Sequence, residues 1–279
     1  MSKLTIIGSI AIAVLLIAGI GLWRTGKLRA LLVRLFGPPR VELAETYTGA
    51  DTGKTFDHSA YDQLVTDHVD SDGFFDYAGL AASEAKLDAY LDGLANATLD
   101  NLGRDERLAL LINAYNAFTL RLILDHFPIG SIRDIPSAER WDAKRWVLAG
   151  ETYSLDQIEH GLIRPNFREP RIHFALVCAA IGCPPLRAEA YTGDRLEQQL
   201  EDQTRFTHGN ERWLRYERGN ATIELTSLYE WYAGDFEQVG GSVVEYAARY
   251  SEDLAKDLAA GHVPTVRYLD YDWSLNAQR

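Results

Sequence analysis

The pattern of apolar and polar positions separates an uncharged N-terminal run from a longer amphipathic remainder. Residues 4–23 are 20 consecutive positions without a charged side chain, and a helix of about 20 residues spans the core of a bilayer. The apolar region of a cleavable signal peptide is shorter and ends at small residues, whereas this run ends at Trp23 before Arg24. The pattern therefore predicts an uncleaved transmembrane helix, with a cleaved signal peptide as the alternative.

The residues around this run are basic. Residues 1–40 hold six Lys or Arg side chains and no Asp or Glu, and five of the six follow the run. This distribution favours a cytoplasmic domain, whereas the short Met-Ser-Lys start is typical of an export signal-anchor. Leucines at helical spacing over residues 28–36 predict an amphipathic helix on anionic lipid, or an extension of the membrane helix. We expect a single-pass protein of the inner (cytoplasmic) membrane, with the side of its domain left open.

The rest of the chain predicts one domain after a linker. Residues 41–55 are polar and rich in turn-forming residues, and no second linker interrupts residues 56–279. Helical periodicity predicts helices over residues 61–69, 83–94, 104–127, 155–163, 194–206, 243–250 and 253–259.

Fewer segments have the character of β-strands. Residues 145–154 resemble a hairpin with Ala149-Gly150-Glu151 at its tip, and the apolar run of residues 171–179 is typical of a central strand. Shorter strands are predicted at residues 214–216, 222–225 and 265–268. Because helices outnumber strands and do not alternate with them, the predicted class is α+β. We expect a single helix-rich domain around a small β-sheet, preceded by one N-terminal transmembrane helix.

Composition and charge exclude several classes of protein. A hydrophobic content of 47% with ordinary glycine and proline usage is typical of a globular chain. The net charge is −12 and all 40 acidic residues lie beyond residue 40, so we expect the domain to repel nucleic acid. Two cysteines are too few for a disulfide framework or a four-thiolate zinc site. No cofactor is predicted.

Two segments on predicted helices carry candidate site residues. Asn113 and Asn116 lie three residues apart on one helix face, and a buried amide requires hydrogen-bond partners. They either tie the helix to a neighbouring loop or contact a substrate carbonyl or a histidine. Glu159 and His160 are adjacent, and Arg164 shares the face of His160. This histidine is either a structural residue or a general base, since imidazole titrates near neutrality.

The third segment contains both cysteines. Strand alternation over residues 171–179 places Cys178 on an apolar face, opposite to His173, so we expect a buried and inert thiol. Cys183 follows Gly182 in a loop at the predicted strand end, where functional residues concentrate. Cys183 is therefore the candidate nucleophile. Free thiols are the first expectation, a Cys178–Cys183 disulfide the second, and zinc bound by His173 and both cysteines the third.

Several long motifs together resemble a known family. They are INAYNAFTLRLILDHFP at residues 112–128, SLDQIEHGLIRP at 154–165, RIHFALVCAAIGCPPLRAEAY at 171–191 and YDWSLN at 271–276. They are similar to the bacterial and plant domain-of-unknown-function family 547 over about residues 58–276. The resemblance implies one domain, often in exported or membrane-attached proteins, and no established reaction. Ala180 stands where the family pattern has a serine, so any role of that hydroxyl is in doubt here.

Two hypotheses of function follow. The first is a thiol-dependent acyl-transfer or hydrolytic enzyme with a papain-like or transglutaminase-like mechanism, in which a cysteine is the nucleophile and a histidine the base. Cys183 is its nucleophile, His173 or His160 the base, and Asn113 or Glu159 the orienting group. The second is a non-enzymatic binding or scaffold domain of the cell envelope, held to the membrane by residues 4–23 and contacting a peptide or glycan.

Overall fold

The fold is seen in a computed structural model that describes residues 37–47 and 53–278. The predicted transmembrane helix at residues 4–23 and the amphipathic segment up to residue 36 lie outside the described residues. Helices dominate the described part. They are α1 (Ser59–His68), α2 (Tyr77–Ala82), α3 (Glu84–Ala95), α4 (Arg104–Leu124), α5 (Leu155–Gln157), α6 (Leu196–His208), α7 (Leu228–Trp231), α8 (Ala233–Gly240), α9 (Val243–Ala248) and α10 (Glu252–Ala259).

The strands form two small sheets. They are β1 (Trp146–Leu148), β2 (Glu151–Tyr153), β3 (Leu214–Glu217), β4 (Thr222–Leu225) and β5 (Thr265–Tyr268). Strands β1 and β2 form an antiparallel hairpin, whose tip residues Ala149 and Gly150 both have positive φ, as a two-residue type I′ turn requires. Strand β4 pairs antiparallel with β3 and parallel with β5. The α+β class is confirmed, with two small sheets in place of one.

Helix α4 is the centre of the larger core. Its residues are apolar nearly all round, so that faces pointing in several directions are buried, including Leu108, Leu110 and Leu120. Among the described residues it is the one helix long and apolar enough to cross a membrane, and 89% of its most apolar window is buried within the protein. A buried core helix has the same length and composition as a membrane helix. This segment therefore carries no conclusion about a membrane.

Two hydrophobic clusters meet at one segment of chain. The larger surrounds α4, and the smaller lies among β3, β4 and helices α7–α10. Ile172 belongs to the larger cluster and Phe174 to the smaller, and Tyr271 packs against both. The segment that includes the motif of residues 171–183 therefore lies where the two clusters join.

The predicted central strand at residues 171–179 is wrong. Pro170–Phe174 form a 3₁₀-helix, capped by the Glu169 carboxylate that accepts from the N–H of Arg171. The following backbone is irregular, and the Asn116 side chain supplies partners for it by donating to Ala175 O and accepting from Val177 N–H. Periodicity cannot distinguish a buried apolar strand from other buried backbone. A buried side chain here provides the hydrogen bonds that a neighbouring strand would have provided.

Part of the predicted linker lies against the domain. Leu43 is buried, and its N–H donates to Oε1 of Gln238 at 2.8 Å. Thr46 donates its N–H to Asn166 O at 3.1 Å. Residues 41–47 are thus in contact with the folded surface, while the division of the chain into three segments stays a prediction.

Candidate functional site

A short π-helix carries two of the predicted site residues. Ser154 precedes helix α5 as its N-cap, and its side chain accepts from Gln157 N–H. After α5 the chain continues as a π-helix over Ile158–Ile163. Such turns are rare and often occur at functional sites. The π-helix places Glu159 Oε1 3.7 Å from His160 Nδ1. Arg164 Nη1 lies 3.1 Å from the same Nδ1, as their shared face predicts.

Glu159, Arg164, His173 and Asp235 form a buried group that we call the ionic cluster. Arg164 donates Nε–H to Asp235 Oδ2 at 2.7 Å and Nη2–H to Oδ1 at 2.8 Å. His173 Nε2 lies 2.9 Å from Asp235 Oδ2, and His173 Nδ1 lies 4.0 Å from Glu159 Oε1. Both ring nitrogens of His173 therefore face carboxylates. Tyr232 covers the cluster, because its ring stacks on His173 with centroids 3.7 Å apart.

The protonation states of this cluster follow from its pairing. Burial alone would raise the pKa of Asp235, but the hydrogen bonds from Arg164 and His173 lower it to about 2. Burial would likewise raise the pKa of Glu159, and the neighbouring His160 and His173 bring it below its usual value. Burial lowers the pKa of His173, with Asp235 opposing the shift. At neutral pH the cluster contains two carboxylates, one guanidinium and a neutral His173.

Cys178 and Cys183 form a second group, which we call the thiol pair. Both are free. The Cys178 N–H donates to Cys183 Sγ at 3.3 Å, and Cys178 Sγ lies 2.8 Å from the Tyr271 hydroxyl. As a thiol, Cys183 donates its Sγ–H to Leu176 O at 3.6 Å. The hydrogen bonds of the thiol pair thus go to each other, to Tyr271 and to backbone, and those of His173 go to the ionic cluster.

The expected burial of Cys178 is wrong. Cys183 is 5% exposed, whereas Cys178 is half-buried. The expectation rested on strand alternation, and residues 171–179 are not a strand. The C-terminal motif at residues 271–276 closes over the cysteine loop instead, since Gly182 donates its N–H to Asp272 O at 2.8 Å. A Cβ at Gly182 would lie 2.8 Å from Asp272 N, so the close approach requires glycine.

The hydrogen bonds make the two thiols unequal. The Cys178 thiol hydrogen-bonds the Cys183 sulfur and lowers the pKa of Cys183, against the effect of burial, with help from Cys178 N–H and the Tyr271 hydroxyl. The same thiol–thiol hydrogen bond, together with burial, raises the pKa of Cys178. The negative charge of the Glu159 carboxylate raises the pKa of both thiols. The ionic cluster and the thiol pair therefore interact electrostatically. Cys183 is the thiol that ionises first.

Cys183 lines a narrow crevice of about 10 Å³. Gly73, Arg212 and Asn276 line it as well. The Asn276 Oδ1 accepts from the Tyr77 hydroxyl at 2.7 Å, which orients the amide. A space of this size holds about one water, so a ligand that reaches Cys183 must be slender there or must widen the crevice.

The two asparagines of α4 are bonded to loops. Asn113 donates Nδ2–H to Tyr191 O at 2.7 Å and accepts from Tyr191 N–H at 3.0 Å. Asn116 donates Nδ2–H to Ala175 O and accepts from Val177 N–H. These pairings agree with the expectation that the amides tie α4 to neighbouring loops. The catalytic role of Asn113 stays a prediction without a contact to the thiol pair.

Four residues near these groups were missed from the sequence: Tyr232, Asp235, Tyr271 and Asn276. The motif at residues 271–276 was a signal for two of them, but no pattern in the sequence indicated that it lies against Cys183. No helix was predicted over Ala233–Gly240, so Asp235 had no signal.

The described residues contain no group of three or more His, Cys, Asp or Glu side chains arranged to hold a metal ion. The fold and these two groups define a helix-rich α+β domain with a free thiol pair beside a buried ionic cluster.

Residues 99–206 match the family model described as "Protein of unknown function, DUF547". The resemblance to this family is therefore confirmed over these residues, which include Asn113, Glu159, His160, His173 and both cysteines. Asp235, Tyr271 and Asn276 lie outside the matched range. No curated protein and no solved structure matches the chain.

Proposed function

We propose that this domain is a thiol-dependent enzyme for acyl transfer or hydrolysis, with Cys183 as its nucleophile. The observation that carries the proposal is the hydrogen bond from Cys178 N–H to Cys183 Sγ at 3.3 Å. Together with the Cys178 thiol and the Tyr271 hydroxyl, it favours the thiolate of Cys183. The thiolate is the nucleophilic form of cysteine.

The chemical steps use groups that border Cys183. The thiolate attacks the carbonyl carbon of an ester, thioester or amide, forming a carbon–sulfur bond. Asn276 lies in the same crevice, where its Nδ2–H group suits the developing oxyanion. As the bond to the leaving group breaks, that group takes a proton from the Tyr271 hydroxyl or the Cys178 thiol. Water, or a second nucleophile, then attacks the thioester carbonyl and gives its proton back to the deprotonated Tyr271 or Cys178. The carbon–sulfur bond breaks, which releases the acid or the transferred acyl product and regenerates the Cys183 thiolate.

This arrangement differs from a cysteine–histidine pair. In the proposal the thiolate is stabilised by hydrogen-bond donors, so no histidine has to remove its proton. His173, His160 and Glu159 are positioning residues, because they hold the π-helix against the turn that leads into the cysteine loop. Asn113 positions α4 against Tyr191 in the same way.

Thiol–disulfide exchange is the second candidate, favoured by the direct hydrogen bond between the two thiols. Cys183 would attack one sulfur of a substrate disulfide, forming a mixed disulfide and releasing one thiolate. Cys178 would then attack Cys183 Sγ, releasing the second thiol. The substrate disulfide is reduced and the thiol pair is oxidised. This reaction requires both cysteines, whereas acyl transfer requires Cys183 alone.

The remaining proposals concern location and partners. We propose that residues 4–23 anchor the protein to the inner membrane, with the side of the domain left open. A non-enzymatic envelope domain that contacts a peptide or glycan is the alternative to the enzyme.

Cys183→Ser and Cys178→Ser test the function as a matched pair. Both are measured in the full-length protein with p-nitrophenyl acetate, a slender acyl donor, and with oxidised glutathione, a disulfide. For an acyl-transfer enzyme, Cys183→Ser lowers kcat/KM for the ester about 100-fold or more, while Cys178→Ser retains the backbone donor and most activity. Loss of glutathione reduction in both variants, with no esterase activity in the wild type, would favour exchange. Wild-type protein inactive on both probes would favour the binding domain.

A further inference from the structure

Three partly exposed tryptophans lie side by side on the domain. They are Trp141, Trp231 and Trp273. Between ring centroids, Trp273 lies 6.0 Å from Trp141 and 5.9 Å from Trp231. Tyr271, which is also partly exposed, lies 4.6 Å from Trp273 and 4.8 Å from Trp231. These four rings form one continuous aromatic patch, which we call the tryptophan face.

The tryptophan face differs from the rest of the aromatic and exposed apolar side chains. The other two tryptophans in the described part of the chain, Trp146 and Trp213, are buried. Single exposed apolar side chains such as Phe206 and Val263 are ordinary, whereas contiguous patches mark sites of interaction. Tryptophan and tyrosine are enriched where a membrane meets water, because each ring is apolar with one polar group. The tryptophan face therefore has the composition of a surface that contacts a membrane.

The N-terminal chain reaches the domain beside this face. Gly37 is the first described residue of the domain, and a Cβ on it would lie 3.9 Å from Trp231 O. Two residues on, Pro39 O accepts from Arg164 Nη1–H at 2.9 Å. Only residues 24–36 separate this point from the proposed membrane anchor, and a helix of that length spans about 20 Å. Because a domain of this size is about 45 Å across, the anchor holds the tryptophan face towards the bilayer.

The charges around the tryptophan face decide which kind of bilayer fits it. Arg133 and Arg140 each lie over one of its rings, with Cζ 5.4 Å and 5.3 Å from the centroid, and guanidinium groups pair with phosphate. Asp134 and Asp272, next to Arg133 and Trp273 in the chain, are exposed carboxylates that offset this charge. The domain as a whole is acidic, so anionic lipid repels it. The face therefore suits a zwitterionic bilayer, with the rings supplying most of the attraction.

We propose that the tryptophan face lies on the bilayer, with its rings at the level of the lipid headgroups and Arg133 and Arg140 paired with lipid phosphates. This inference rests on the proposed anchor at residues 4–23 and adds which surface of the domain meets the membrane. The Tyr271 hydroxyl lies 2.8 Å from Cys178 Sγ, so the thiol pair would lie directly behind the membrane-contacting surface. The orientation itself does not depend on the proposed thiol chemistry.

Quenching of tryptophan emission by brominated lipid tests this orientation. The full-length protein is reconstituted in phosphatidylcholine vesicles whose acyl chains are either unmodified or brominated close to the headgroup, and bromine quenches only rings that it nearly touches. Trp23→Phe removes the tryptophan of the proposed anchor, which would be quenched in any orientation. In this background we expect brominated lipid to lower the emission by at least about a quarter, because three of the five remaining tryptophans then lie at the lipid surface.

Further variants in the same background localise the quenching. Trp231→Phe and Trp273→Phe together are expected to remove about half of it or more, since both substitutions keep an aromatic ring but remove the emission. Trp213→Phe removes a buried tryptophan and is the matched control, which is expected to retain the quenching in full. Circular dichroism confirms that each variant is folded. An equal loss of quenching in Trp213→Phe would overturn the proposal.

The same experiment separates failure of the anchor from failure of the orientation. Full-length protein that does not float with the vesicles in a density gradient would overturn the anchor and the orientation together. Protein that floats, but whose quenching is confined to Trp23, would keep the anchor and overturn the orientation. In that case the tryptophan face is covered by residues 24–36 or contacts a soluble partner.

Discussion

The ionic cluster and the thiol pair lie close to one segment of chain, yet they compensate charge in opposite ways. In the ionic cluster, Asp235 receives two hydrogen bonds from Arg164 and contacts His173, and all three are buried. In the thiol pair, the donors that favour the thiolate of Cys183 are uncharged, and the Cys183 sulfur borders a crevice. Full pairing holds side chains in place and removes their reactivity. Partial stabilisation beside an opening leaves a nucleophile, which is why we place the chemistry at Cys183 and positioning at His173.

Breaking the ionic cluster has the largest expected effect. Asp235→Asn leaves the buried Arg164 without its main counter-charge, and removing one partner of a buried pair costs about 3–5 kcal/mol of unfolding free energy. Denaturant unfolding of the full-length protein measures this loss. Glu252→Gln breaks the exposed pair with Lys256 and is expected to change stability by less than about 1 kcal/mol. An equally small loss in Asp235→Asn would show that the cluster does not hold the fold.

Acid separates the two groups because the ionic cluster contains a buried histidine. Burial lowers the pKa of His173, so its contribution to stability is fully present above the ordinary histidine pKa of about 6.5 and is lost as the pH falls. His58 and His208, whose pKa values burial lowers to about 4, act in the same direction, by at most about 3 kcal/mol each at pH 4. Unfolding free energy is therefore expected to fall between pH 6.5 and 4.

His173→Gln measures the share of the ionic cluster in this acid effect. Glutamine retains a donor for Asp235 and has no proton to gain, so the decline in unfolding free energy between pH 6.5 and 4 becomes shallower. The thiol–thiol hydrogen bond and burial raise the pKa of Cys178, so this thiol does not titrate between pH 6.5 and 4, and Cys178→Ser is expected to follow the wild-type curve. A His173→Gln curve parallel to the wild type would mean that His173 takes up its proton over the same pH range in the folded and the unfolded protein, which would contradict the lowered pKa.

The smallest effect concerns the thiol pair alone. Tyr271→Phe removes a hydroxyl that lies 2.8 Å from Cys178 Sγ and that lowers the pKa of Cys183. The midpoint pH for alkylation of Cys183 is expected to rise by up to about one unit. Tyr268→Phe, at a partly exposed tyrosine of β5, serves as the control and leaves the midpoint unchanged. A midpoint that stays or falls in Tyr271→Phe would remove Tyr271 from the proposed mechanism.

Much of the fold was predictable from the sequence because it depends on local signals. The apolar run of α4 and the position of the hairpin were both predicted correctly, although Glu151, expected at the tip, is the first residue of β2. The segment at residues 171–179 failed, since its backbone partners come from Asn116, about 60 residues away in the chain. The sequence showed that Asn116 needed partners but not which backbone would supply them.

The site was predictable as a set of residues and not as an arrangement. Glu159 lies close to His173 and raises the pKa of Cys183, so the predicted residues share one region of the molecule. Asp235 and Tyr271 provide the hydrogen bonds of that region, to His173 and to Cys178. Both come from segments distant in sequence, where no periodic pattern indicates a partner. The full burial of Cys178 was inferred from a strand that does not form, and the prediction was wrong for that reason.

The central claim is that Cys183 is the activated thiol of an unequal pair, and its most direct test is alkylation by iodoacetamide across pH. Both cysteines lie in one tryptic peptide, residues 172–187, so fragment masses assign the label. The account predicts that, in the full-length protein, Cys183 is labelled with a midpoint below the free-thiol value of about 8.5, while Cys178 is labelled at higher pH. Labelling of Cys178 first, equal labelling near 8.5, or no labelling until a reductant is added would contradict it.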